Sequence, residues 1–595
     1  MKRRRERILR GIPVSAGFAV GPVFVYRHEL PEFSEQTIES GSAKEEVKRF
    51  RDAVKSAESD LRKLHDEVKS DMGRDFAEFI SIQIALLTDK DVLGQTEQFI
   101  TDEAKNAEFA YTETLKRLAG PMATSTVPFF RERALDVGDV SARVLRQLLG
   151  EELPSLHEVE QGSVIAAHDL PPSEAALLDP QVVRGLVLEG GGRTSHTAIM
   201  AKAKEIPALV GTEGLLHEAV KGQQAVVDGY RGLVVLNPSR NRLGQYQSEM
   251  ERYERHRESL AELTAEEAVT QDGKMIDLSA NIEFLAEARA AQKYGARGIG
   301  LFRTEYMYLA RRRPPTEDEQ LEVYTEVAKM CEPNPVIIRT FDIGGDKVVP
   351  GYTEPNPFLG WRGLRLCFDH PELLRTQLRA VLRASVFGNV KVMYPMVSTM
   401  GEWRRARMIL EQVKKELTKE KQEFNRQLDA GVMIETPSAA MMADQFALEC
   451  AFLSIGSNDL TQYTLAVDRG NERVARLYDN FHPSVLRLIK GTIEAAHRHG
   501  IWVGLCGEFA SDPLGMLILL GFGIDELSVT PGAIPEAKNV IRSIDTGSAG
   551  EIAQAAMQLG TGLEVKRMLR QGLHSRFPKL AEFLFELAGE EIDDE

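Results

Sequence analysis

From about residue 272 onward, short apolar runs alternate with helix-like stretches, and no other feature constrains the fold as tightly. The eight runs are KMIDLSANI (274–282), GIGLFRTE (298–305), VIIRTFDIG (336–344), VKVMYPMV (390–397), GVMIETP (431–437), AFLSIGSNDL (451–460), IWVGLCGE (501–508) and ELSVTP (526–531). Eight βα units in about 300 residues predict a TIM (β/α)8 barrel, in which the strand C-termini form a single mouth. In six of the runs a polar or reactive residue follows the apolar core: Asn281, Arg303, Arg339, Glu435, the Asn458–Asp459 pair and Cys506. A barrel would bring all of them together.

The residue types match one chemistry. Arg303 and Arg339 offer planar, two-pronged grips for phosphate or carboxylate, and Arg469 in AVDRGN is a candidate third. Glu435 and Asp459 suit Mg²⁺, which takes one or two protein carboxylates and completes its shell with substrate oxygens and water. Asn458 adds a neutral hydrogen bond. Taken alone, the two acids fit salt-bridged barrel-rim residues equally well. Cys506 lies in GLCGE, where flanking glycines would let a ligand approach a proton-donating thiol. The same setting fits a small buried apolar side chain. Cys331, Cys367 and Cys450 have no such setting and read as structural.

The amino-terminal half follows a different rhythm. Residues 11–26 (GIPVSAGFAVGPVFVY) read as strand. Val47, Phe50, Val54, Ala57, Leu61, Leu64 and Val68 then follow a heptad spacing, and helical patterns extend to about 150. Strand-like runs return at 162–168, 184–188, 206–210 and 223–236. The first strand joins these in one α/β sheet if the helical block is an insertion. Residues 237–268 read as a charged linker helix.

Within this half, GGGRTSHT (190–197) stands just before the helix-like AIMAKAKE. A helix N-terminus stabilises an anion, and glycine lets backbone approach it. His196 there is a candidate carrier of a phosphoryl group on a ring nitrogen, with Thr194, Ser195 and Thr197 as caps or phosphate contacts. A plain glycine turn with an incidental histidine fits the same letters.

Bulk properties exclude several classes. A net charge of −16 and a pI near 5.4 argue against general nucleic-acid binding. The four cysteines form no CxxC pair, as expected for a reducing cytoplasm. MKRRRER is followed by no apolar signal region, and no window has the length of a membrane span.

These segments together resemble the phosphoenolpyruvate–protein phosphotransferases, Enzyme I of the bacterial sugar phosphotransferase system. GGRTSHTAIMA (191–201) resembles the family's phosphohistidine signature. GIGLFRTE, IIRTFDIGGDK, NPFLGWRGLR, GVMIETPSAA, SIGSNDLTQYTLAVDRGN and LCGEFA resemble its phosphoenolpyruvate-binding barrel, in order. The likeness spans about residues 8–575.

The resemblance implies a multidomain α/β protein. Residues 1–32 and 152–236 would form a swivelling phosphohistidine domain. Residues 33–151 would be a helical subdomain docking the carrier protein HPr, 237–268 a linker helix, 269–580 the phosphoenolpyruvate-binding and dimerising barrel, and 581–595 an acidic tail. It further implies that His196 accepts the phosphoryl group through Nε2 and passes it to HPr, the first step of sugar transport. Arg303, Arg339, Asn458 and Arg469 would hold phosphoenolpyruvate, Glu435 and Asp459 would bind Mg²⁺, and Cys506 would protonate the enolate to pyruvate. Arg362 is a further phosphate contact by the same likeness. A cytoplasmic homodimer is implied, with no membrane insertion and no nucleic acid. One departure stands out: Ala175, in DLPPSEAALL, replaces a threonine that the family often has and that is thought to hydrogen-bond the active histidine.

Overall fold

The apolar run 11–26 folds as two separate strands rather than one. In the computed structural model, which describes residues 5–26, 33–39, 41–71, 74–123, 128–150, 156, 159–191, 196–309, 313–344, 354, 356–469, 471 and 473–588, the chain forms two compact units, Met1–Glu251 and Arg252–Glu595.

The first unit contains β1 (Arg7–Arg10), β2 (Ile12–Ser15), β3 (Phe18–Tyr26), β4 (Ser163–Ala167), β5 (Val183–Leu188), β6 (Ala208–Val210), β7 (Gln224–Asp228) and β8 (Leu233–Leu236). They make one sheet in the order β1-β8-β7-β3-β4-β5-β6-β2. β1 and β2 are its two edges, and β3 lies inside it. The run breaks at Gly17, whose φ of +128° is open to glycine, and where a Cβ would come within 2.8 Å of Pro207 Cγ. β3, β4, β5 and β6 pair in parallel, and the remaining pairings are antiparallel. β4 is buried throughout, and β5 at all but Arg184, in line with their mostly apolar sequences.

Between β3 and β4 lie the helices Ala43–Asp71, Arg74–Leu87, Lys90–Glu103, Ala107–Ala123 and Pro128–Leu149. The heptad positions of the first helix face inward: Phe50, Val54, Ala57, Leu61, Leu64 and Val68 are buried, and Val47 at its start is half-buried. They pack against Arg74–Leu87 and Pro128–Leu149, so the stripe closes a bundle within the chain. A charged helix, Arg240–Ala261, follows β8.

The second unit is the barrel. β9 (Asp277–Ile282), β10 (Ile299–Phe302), β11 (Val336–Arg339), β12 (Val390–Tyr394), β13 (Ala430–Ile434), β14 (Phe452–Ile455), β15 (Trp502–Leu505) and β16 (Glu526–Val529) close on themselves. Every pairing is parallel, including β16 with β9. Leu301, Ile337, Met393, Met433 and Phe452 form an apolar plug, distinct from the larger core that includes the surrounding helices. Among the described residues, no helix is long and apolar enough to cross a membrane. The acidic end EEIDDE (590–595) lies outside them.

Candidate functional site

The barrel delivers its polar residues to the strand ends, but not in equal roles. Arg339 is the last residue of β11, while Arg303, Glu435 and Cys506 each stand one residue past β10, β13 and β15. Asn458 and Asp459 lie beyond β14, in the first turn of the helix Ser457–Leu465. Asn281 is spent on the barrel itself. Its Nδ2 donates to the carbonyls of Cys506 (3.0 Å) and Ser528 (2.9 Å), and its Oδ1 accepts from Ser528 Oγ (2.7 Å).

The centre is an ion-pair network built around a residue the strand-end pattern does not reveal. Asp342 accepts from Arg362 Nε and Nη2, both at 2.8 Å, and lies 3.5 Å from Arg339 Nη1. Glu305 accepts from Arg339 Nη2 (2.9 Å) and from the Asp342 backbone N–H (3.0 Å). Arg362 also donates to Asp459 Oδ2 (2.9 Å), Asp459 Oδ1 (3.4 Å) and Tyr463 Oη (3.3 Å). All five of its N–H donors are thus engaged within the protein. It links Asp342 to Asp459. Arg339 differs: its Nε is buried with no hydrogen-bond partner among the described residues. A buried unpaired donor at the mouth is what an anionic ligand would satisfy.

Glu435 is 1% exposed, and its Oε1 accepts the Met396 N–H at 2.5 Å. Met396 holds a left-handed φ of +55° to present that N–H, a conformation that costs energy outside glycine. On the other side Gly456 is required, because a Cβ there would sit 2.9 Å from Glu435 Cβ. Asp342, Glu305, Glu435 and Asp459 bring four carboxyls against the two guanidiniums of Arg339 and Arg362, each of the six less than a tenth exposed. Burial, with Asp459 and Asp342 nearby, pushes Glu435 above the ordinary carboxyl range despite the two arginines. Asp459 is driven the other way: burial works against its ionisation, but Arg362 and Arg469 hold it low.

Among the described residues, no three His, Cys, Asp or Glu side chains form a protein-only metal cage. The donor chemistry nonetheless fits a hard divalent cation. Glu435 and Asp459 are two buried carboxyls close enough to act on each other's ionisation, and Mg²⁺ needs few protein ligands.

Arg303 completes the rim. It is about one-third exposed (35%) and pairs with Glu283 at 2.6 Å. Asn458 Oδ1 accepts the Glu508 N–H at 2.9 Å. Arg469 is exposed on the turn after the helix, close enough for its charge to act on Asp459. Cys506 is 3% exposed and packs onto the apolar plug. Burial pushes its thiol up to about 11, although Ser454 and the Arg339 and Arg303 charges oppose the shift. It is therefore a protonated thiol at neutral pH. The glycines on either side of it are also closely packed by the protein. A Cβ at Gly504 would meet Glu526 Oε2 at 2.2 Å, and one at Gly507 would meet Ser457 Oγ at 1.9 Å.

In the first unit, His196 opens the helix His196–Ala203. Its side chain, Thr194 and Ser195 lie outside the described residues. That helix is stapled to the segment before β5 at both ends. Thr197 Oγ1 donates to Leu170 O (2.9 Å), and just past its last residue Lys204 Nζ donates to Ala176 O (2.8 Å) and Leu178 O (2.6 Å). Ala175 in that segment is fully buried.

Sequence comparison agrees with the fold. Residues 257–546 match the family described as PEP-utilising enzyme, PEP-binding domain. Residues 10–133 match its N-terminal domain and 159–232 its mobile domain. The barrel is thus that of a PEP-utilising enzyme. At the level of whole chains, the phosphoenolpyruvate-protein phosphotransferase of Bacillus sp. (strain S) is 41% identical over 95% of this chain and 98% of its own. That of Geobacillus stearothermophilus is likewise 41% identical, with the same coverage. That of Bacillus subtilis (strain 168) is 39% identical over 95% of this chain and 99% of its own. The chain belongs to the phosphoenolpyruvate-protein phosphotransferase family.

Proposed function

We propose that this protein moves the phosphoryl group of phosphoenolpyruvate to His196 Nε2, then to the phosphocarrier HPr, and releases pyruvate, the first step of a sugar phosphotransferase system. The observation that carries this reading is the barrel mouth. It gathers Arg339 with its free Nε, the rim residue Arg303, a cation-suited pair of carboxylates and a protonated thiol.

In this reading Arg303, Arg339 and Arg469 grip the phosphate and carboxylate, and Asn458 adds a neutral donor. Asp342 and Glu305 fix the arginines so that little reorganisation is needed as charge shifts. Glu435 and Asp459 hold Mg²⁺, which would neutralise phosphoryl and carboxylate oxygens as charge develops. The P–O bond to the enol oxygen breaks as the N–P bond to neutral His196 forms; positioning and charge neutralisation dominate such transfers. The pyruvate enolate then takes the Cys506 proton at C3, and the thiolate regains a proton from solvent. His196 belongs to one compact unit and the mouth to the other, so transfer requires the phosphohistidine domain (1–32 and 152–236) to meet the barrel (269–580), with 237–268 as the link. The helical block 33–151 is the proposed HPr surface, and 581–595 a solvated tail.

A homodimer through the barrel is part of the proposal. Met408, Met441, Met442 and Leu448 are exposed (54%, 73%, 44% and 62%). Arg404 and Arg407 pair with Glu449 and tie the helix bearing Met408 to the residue after Leu448. Large apolar side chains gathered at a surface suit a protein partner. Leu448→Glu is expected to yield monomers by light scattering.

The central test is incubation with radiolabelled phosphoenolpyruvate and Mg²⁺. The protein should become labelled and should pass the label to HPr, and His196→Ala should remain unlabelled. Label that persists in His196→Ala refutes the assignment.

A further inference from the structure

Beneath the mouth, one buried hydroxyl touches the thiol. Ser454, the third residue of β14, is 0% exposed. Its Oγ donates to Cys506 Sγ at 3.4 Å, and the thiol in turn faces Ile455 O at 3.7 Å. β14 and β15 are in register with Ser454 opposite Gly504, two residues before Cys506. Alternation along the strands therefore puts Ser454 on the inner face, one step below the thiol. The thiol belongs to the apolar plug of Leu301, Ile337, Met393, Met433 and Phe452.

We propose that Ser454 is a positioning residue for the proton-transfer step: its O–H fixes the Cys506 thiol and stabilises the thiolate left when that proton is given up. The inference rests on the role proposed above for Cys506. Donating the proton leaves a negative sulfur against an apolar plug, where water cannot solvate it. A hydroxyl donor to a charged acceptor is then worth about tenfold to a hundredfold in the ionisation equilibrium. The charged groups acting on this sulfur are Arg339 and Arg303, which favour the thiolate, and Glu435, which disfavours it. They come from the ends of β11, β10 and β13, and among the described residues only Ser454 donates directly.

The test uses the full-length enzyme with Mg²⁺ and pyruvate in deuterated water, without phosphoenolpyruvate. The Cys506 thiolate takes a proton from the pyruvate methyl group: a C–H bond breaks, an S–H bond forms and the enolate remains. Solvent exchanges the sulfur proton, and return of a deuteron forms a C–D bond that NMR counts. Ser454→Ala is expected to slow exchange at least about tenfold and to move the pH profile of exchange upward by about a unit, with half-saturating pyruvate within about twofold of the parent. Exchange at the parent rate, or a loss of rate with an unmoved pH profile, overturns the proposal. Should Ser454→Ala not fold, Ser454→Thr and Ser454→Val differ only in the hydroxyl, and equal rates in that pair overturn it as well. Cys506→Ala separates the two levels. Exchange that survives in Cys506→Ala sinks the acid's role itself. Cys506→Ala inert beside a parent-like Ser454→Ala sinks only the inference about Ser454.

Discussion

The two ends of the barrel solve the problem of buried carboxyls in opposite ways. At the mouth, Asp342, Glu305, Glu435 and Asp459 share Arg339 and Arg362. At the other end Glu526, the first residue of β16, is 3% exposed and has no arginine. Its carboxyl occupies space left by two glycines: a Cβ at Gly300 would lie 2.5 Å from Oε1, and one at Gly504 2.2 Å from Oε2. Oε2 has no hydrogen-bond partner among the described residues. Burial pushes Glu526 up to about 7, with Ser279 pulling down, Asp277 up and the Lys391 charge down. A buried acid with a raised pKa is therefore not by itself a reaction centre. Guanidiniums that fix it, and an anion-facing rim beside it, make the difference.

The largest effect is expected where the pairing is densest. Asp342→Ala removes the carboxyl shared by Arg339 and Arg362, so that Arg362 Nε loses its acceptor and each guanidinium keeps one carboxyl, Glu305 for Arg339 and Asp459 for Arg362. Breaking such a pair costs about 3–5 kcal/mol. Denaturant unfolding should show that loss, and labelling from phosphoenolpyruvate should fall by about three orders of magnitude. A variant that is destabilised yet labels at the parent rate would separate the network from the chemistry.

Glu526→Gln should act in the other direction. A carboxyl whose folded pKa is raised contributes stability that is full below its unfolded value near 4.5 and lost as pH rises through about 7. The neutral amide removes that loss. The variant is expected to be up to about 3 kcal/mol more stable than the parent at pH 8, with little difference at pH 4.5. Labelling should be unchanged, because Glu526 lies at the far end of the barrel from the mouth.

A smaller effect concerns the proton on Glu435. Its raised affinity for a proton means that a divalent cation must displace that proton to bind. Mg²⁺ affinity, followed by calorimetry, should therefore rise with pH and weaken by up to about tenfold per unit as Glu435 protonates. Proton release on binding, read from buffers of different ionisation enthalpy, should accompany it. In Glu435→Gln both the affinity and the proton release should be lost.

How far these ends could be read from sequence follows from the same physics. Strands buried on both faces print unbroken apolar runs, so the barrel and its order were legible, and so were the arginines that stop those runs. Asp342 and Glu305 were not, because each lies a few residues past a strand end and matters only through arginines that the fold brings near. Asn281 carries the same strand-end signal as Arg303 but spends its amide on the barrel. The glycines around Cys506 signal close approach, yet what approaches is Glu526 and Ser457. Residues 11–26 look like one strand because apolar pattern records burial and not direction; only the backbone at Gly17 separates β2 from β3.

The smallest effect tests whether one hydroxyl matters at the barrel's far end. Ser279, on β9, is opposite Ser528 in register, and its side chain supplies the hydrogen bond that holds Glu526 down. Because that bond favours the ionised carboxyl, losing it should count most where Glu526 is charged. Ser279→Ala is expected to cost about 1 kcal/mol at pH 8 and less at pH 5. In the Glu526→Gln background the difference between the two pH values should vanish, since no charge remains for the hydroxyl to stabilise. Equal costs at both pH values in the parent would mean that Ser279 only fills space, and that the Lys391 charge is what opposes burial at Glu526.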